Sequence, residues 1–144
     1  MVPTLIGRIQ TRLFVLAVIG SLLTLLVTPL LGLGVPLGAA YRTTFTVLVV
    51  VAVLGVGWEL VYHGLQQFRW EKDWPTLFGL LTAVNEGALV YAVLSLRLLP
   101  GVGPGPLGAF LVDFFVVWVG TWAFVNGPMR VPFIRWRFHG GRVV

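Results

Sequence analysis

Apolar residues along this chain run in four long blocks, with polar or Pro/Gly-rich punctuation between them. The blocks are Leu13 to Leu33, Thr44 to His63, Thr76 to Leu96 and Leu107 to Asn126. Each is near the ~20 residues a helix needs to cross a hydrocarbon core of roughly 30 Å. Gly34-Val35-Pro36 breaks the chain after the first block, and Thr43-Thr44 reads as a cap for the second. Asp73-Trp74-Pro75 places an N-cap and a first-turn proline ahead of the third. Pro100 to Pro106 excludes helix, and Asn126-Gly127-Pro128 closes the fourth. The pattern predicts an all-α, four-helix transmembrane bundle in one domain, residues 1–144. Arg8 and Arg12 followed by an apolar run, with Gly38-Ala39-Ala40 beyond it, imitate a cleaved signal. The run is 21 residues long, past the about 7–15 of a signal's apolar region, so it reads as a retained span.

Composition strengthens this reading. Hydrophobic residues are 58% and charged residues 10% of the chain, where soluble domains carry about 25% charged. The absence of cysteine removes disulfides, thiolate metal sites and a thiol nucleophile. The net charge of +5 resides in basic residues at the helix ends, a topological pattern and no nucleic-acid surface. Arg8, Arg12, Arg69, Lys72, Arg130, Arg135, Arg137 and Arg142 fall on one side and only Arg42 and Arg97 on the other. Both termini are therefore expected in the cytoplasm. Trp58, Trp70, Trp74 and Trp136 fall near that interface, as an aromatic belt would. In the basic tail, residues 127–144, Arg130, Arg135, Arg137 and Arg142 alternate with aromatics. They are expected to contact anionic headgroups, each worth about 1 kcal/mol.

Candidate chemistry rests on three acids inside the blocks. Glu59, Glu86 and Asp113 share their runs with no Lys or Arg. A carboxylate in hydrocarbon is costly and marks a proton, ion or ligand site. A rise of about 1.5 Å per residue puts Glu59 roughly 6 Å from the cytoplasmic end, Glu86 about 15 Å deep and Asp113 about 20 Å deep. Without a cation in reach, Glu86 is expected to be protonated. Asn85 and Thr82 adjoin it, and Thr121 is a further group able to bridge the steps. His63 lies four residues after Glu59, on the same helical face, and is expected to pair with it. Of the two histidines only His63 lies in a span and His139 is in the tail, which excludes a bis-histidine haem inside the bundle, and no metal set or cofactor is expected. The loop from Gln66 to Pro75 suits an interfacial hairpin. No phosphate loop, nucleophile elbow or zincin motif occurs.

Two ridges concern packing. Gly79, Ala83 and Gly87 form a small-residue ridge, expected to admit another backbone on the face that carries Glu86. Phe110, Phe114, Trp118 and Trp122 form an aromatic ridge, read as packing surface with a cation–π platform as its functional version.

The segment from Pro3 to Phe14 (PTLIGRIQTRLF) and the segment Phe68 to Gly87 resemble small four-span integral membrane proteins of actinobacterial type. That resemblance implies the topology and a bacterial plasma (inner) membrane, and carries no activity. The leading functional reading is a non-enzymatic membrane protein whose buried carboxylates bind or conduct protons or small cations. Its partners would be the lipid bilayer and further copies of itself or other membrane subunits. A lipid- or isoprenoid-processing enzyme using Glu59 and Glu86 as acid and base is the second reading. A structural subunit of a larger membrane complex is the third.

Overall fold

The computed structural model describes residues 4–69, 76–103 and 105–144. The expectations placed on Trp70, Lys72, Asp73, Trp74 and Pro75 lie outside them. Four helices are long and apolar enough to cross a membrane, and the described residues contain no strand.

Helix α1 spans Leu5–Leu30 and starts well before the predicted Leu13. Thr4 caps it, its hydroxyl accepting from the Gly7 amide at 3.1 Å. The helix thus takes Arg8 and Arg12 into the bundle. A π-helical turn occupies Leu16–Gly20, and a tight turn over Thr28–Leu30 closes the helix around Pro29. Helix α2, Leu37–Gln67, begins directly after Pro36, earlier than predicted. Thr43 and Thr44 are therefore inside it. Their hydroxyls donate back to the carbonyls of Ala39 and Ala40, at 3.1 and 3.2 Å, and cap nothing. Helix α3 covers Thr76–Ser95 with an interruption at Thr82. Helix α4, Leu107–Asn126, follows Pro106 and ends at Gly127. A short helix α5, Ile134–Phe138, lies in the tail.

Helices α1 and α3 each pack against both α2 and α4, so the four form a ring. The core joins Leu16, Val51, Val90, Leu94, Phe114 and Trp118. At most 39% of any span's apolar window is inside the bundle. The outer faces, with Leu26, Val53 and Val84 about two-thirds exposed, are left for lipid.

Both chain ends meet on one face of the bundle, called here the terminal face. The Thr4 amide donates to the Gly140 carbonyl at 2.9 Å. The Thr11 hydroxyl donates to the Gly141 carbonyl at 2.8 Å, and the Trp136 indole to that hydroxyl at 2.7 Å. The tail thus docks along α1, while the side chains of Arg130, Arg135, Arg137 and Arg142 stay exposed.

Candidate functional site: an arginine-centred carboxylate cluster

Glu59 and Glu86 do have cations in reach, and α1 supplies both. Arg12 donates from Nε to Glu59 Oε1 at 2.8 Å, and from Nη1 and Nη2 to the two oxygens of Glu86 at 2.7 and 3.1 Å. Arg8, one turn earlier, pairs through Nε with Glu59 Oε2 at 2.7 Å and through Nη1 with Gln66 Oε1 at 3.0 Å. The expectation that these acids lack a cation is overturned, and the ground for a neutral Glu86 goes with it. The cations belong to another helix, four residues apart and so on one face. That spacing, with the capping Thr4 ahead of it, was the signal available in the sequence. Counting cations within each acid's own span missed it.

The cluster is buried. Glu86 is 2% exposed and Glu59 6%. Two charges withdrawn from water need good geometry and further hydrogen bonds to offset their desolvation, and the bidentate Arg12–Glu86 pair supplies the strongest kind. The Tyr62 hydroxyl donates to Glu86 Oε1 at 3.0 Å and accepts from Asn85 Nδ2 at 3.1 Å. Arg12 also stands over the Trp118 ring, 5.6 Å from its centre. Close approach at Gly55 makes room for it: a Cβ there would lie 2.7 Å from Arg12 Nη1 and 2.8 Å from its Cδ.

Other predicted residues divide. Asn85 joins the cluster through Tyr62. Thr82 donates to the Gly79 carbonyl at 3.0 Å, which also accepts from the Trp118 indole at 3.2 Å. His63 does not pair with Glu59, whose oxygens are taken by the two arginines; its ring lies 3.4 Å from Gln67 Nε2. Asp113 is 5% exposed and lines a different cavity, so the three acids form no single site. The aromatic ridge packs as a stack, Phe110 on Phe114 at 5.6 Å and Phe114 on Trp118 at 5.4 Å. At Gly79 and Gly87 the small-residue ridge faces rings of the aromatic ridge. A Cβ on Gly87 would lie 2.9 Å from Phe114, whereas one on Gly79 would make an ordinary 3.7 Å contact with Trp122.

Between the four helices and the docked tail lies a cavity of about 390 Å³. Arg12, Glu59 and Tyr62 border it, Trp118, Trp122 and Val125 give it apolar walls, and Arg130 and Trp136 stand at the terminal face. Glu86 does not line it and lies behind Arg12 and Tyr62. The wall indoles are engaged elsewhere, Trp122 with the Thr76 carbonyl at 3.1 Å.

Comparison with protein-family models, curated proteins and solved structures returned no match, so the resemblance to actinobacterial four-span proteins gains no support from them. Fold and site define the class: an α-helical multi-pass membrane protein with an ion-paired cluster bordering a cavity that opens at the terminal face.

Proposed function

We propose that this is a non-enzymatic membrane protein that binds protons from its terminal face, with the Arg12–Glu59–Glu86–Tyr62 network as the site. The observation that carries this reading is the position of the network: Glu59 and Tyr62 border the cavity, and the Tyr62 hydroxyl leads from it to Glu86. Two arginines and two carboxylates balance, and one added proton leaves the group with a net charge of +1 in a place shielded from water. Such a step is energetically large, which suits a site whose partners rearrange on protonation. A metal cation fits less well. The place between the two carboxylates is held by a guanidinium with all three nitrogens engaged. The acid–base enzyme reading has less support too, since Glu86 is screened from the cavity that a substrate would occupy.

Beyond the cluster, towards the opposite face, the core around Val90, Leu94 and Phe114 is mostly apolar, and Asp113 is the one buried acid among the described residues there. Binding from one side is therefore the reading for a single chain, with a homo-oligomer or a larger membrane complex as its setting. The terminal face would be the cytoplasmic face of a bacterial plasma membrane.

The test is infrared difference spectroscopy of the full chain in lipid nanodiscs across a pH step. A carboxyl C=O band that titrates, disappears in Glu86→Gln or Glu59→Gln and ignores exchange of sodium for potassium is the expected result. Saturable binding of either cation, or titration indifferent to both substitutions, overturns the reading.

A further inference from the structure

Asp113 is a buried acid that the arginine cluster leaves unexplained. Among the described residues its Oδ1 has no hydrogen-bond partner, and neither has the hydroxyl of Thr24, which is 1% exposed. Both residues line one cavity of about 10 Å³. Its other walls are apolar: Leu16 from α1, Val47, Leu48 and Val51 from α2, and Phe114, Val117 and Trp118 from α4. No further titratable side chain borders it, and Tyr91 of α3 lies tilted against Phe110, 5.1 Å between ring centres. A void of this size accommodates one water molecule, which needs two or more polar partners to stay. A cation such as sodium would need several oxygens and finds two side chains.

The partition between the two cavities is thin. Leu16 and Trp118 line both of them. Leu16 also opens the π-helical turn of α1, an irregularity frequent at functional sites in helices. Charged groups stand on the far side only: Arg12 and Glu59 border the large cavity, and Glu86 lies behind Arg12.

We infer that Asp113 and Thr24 hold a single water molecule between them and form a second proton-binding station, parted from the arginine cluster by Leu16 and Trp118. The station rests on the reading of the first site as a proton site only for its source of protons; its water and its carboxyl are separately observable. Asp113 alternates between carboxyl and carboxylate; the proton it releases passes over the water anchored by Thr24 and, when Leu16 moves aside, into the larger cavity at the terminal face, and it returns by the same route, so no other reactant is consumed.

The experiment uses the full chain in nanodiscs and the same pH-step infrared measurement. Two carboxyl bands are expected. Asp113→Asn removes one and leaves the Glu86 band, and Glu86→Gln does the reverse. Thr24→Val keeps the shape, shifts the Asp113 band to higher wavenumber and removes the stretch of a weakly bonded internal water. Leu16→Ala speeds the Asp113 response severalfold by opening the partition. Spectra of Asp113→Asn identical to the parent, or an Asp113 band and water stretch unmoved by Thr24→Val, overturn the inference. A surviving Asp113 band with no Glu86 or Glu59 band would instead overturn the first site alone. Should Asp113→Asn not fold, the Thr24→Val spectra decide.

Discussion

Arg12 carries the electrostatics of this protein on one side chain. A cation within an apolar span is expensive, and two carboxylates from two other helices repay it only together. Removing one member of a buried ionic group leaves the rest uncompensated, at about 3–5 kcal/mol. Arg12→Leu is therefore expected to lower stability by about that amount, read as thermal unfolding in mild detergent. Arg12→Lys keeps the charge without the planar fork that reaches Glu59 and Glu86 at once, and should fall between the two. The combination Arg8→Leu, Arg12→Leu, Glu59→Gln, Glu86→Gln should recover much of the loss, because neutral replacement of a whole buried ionic group is often tolerated. If the quadruple variant is less stable than Arg12→Leu, the cluster's charges are not what holds it.

Among the elements, close approach decides more than polarity does. Gly7 lies against the Gly140 carbonyl, so Gly7→Ala should push the tail off α1 and expose the segment from Pro128 onward to protease. Gly55→Ala should displace Arg12, whereas Gly57→Ala, with nothing within 4 Å, should be silent. Gly87→Ala presses on a Phe114 ring fixed between Phe110 and Trp118, and should destabilise the bundle by about 1–3 kcal/mol. Gly79→Ala should cost little, which thermal unfolding of the two variants will separate.

These contrasts bear on what could be read in advance. Helix α4 was legible to the residue because Pro106 and Gly127 bound an unbroken apolar run. The start of α1 was not, since hydropathy treats Arg8 and Arg12 as the end of a membrane segment, and only partners 47 and 74 residues away make them interior. Glu59, Glu86 and Asp113 were recognisable as buried acids. That two of them share one guanidinium while the third stands apart depends on how four helices close into a ring, which periodicity within single helices does not encode.

At the scale of the molecule, the docked ends make the terminal face a unit. Reporter fusions at Arg8 and Arg142 should read the same side, and insertions at Ala39 and Val102 the other. The lysine and arginine bias assigns the first pair to the cytoplasm, and a fusion at Arg142 read outside would reverse the orientation.

The long-range reach of Arg12 has a consequence for how the protein is made. Synthesis delivers α1 first, with its guanidinium groups facing a bilayer that holds nothing to receive them. Glu59 arrives only with α2 and Glu86 only with α3. The first segment should therefore settle shallowly and be drawn inward when the third emerges, much as a latch closes after the door is hung. Ribosome-arrested chains ending before Glu86 should leave a cysteine placed at Leu16 open to a water-soluble thiol reagent, and chains extending past Asn126 should shield it. Equal protection at both lengths would mean that α1 seats itself alone.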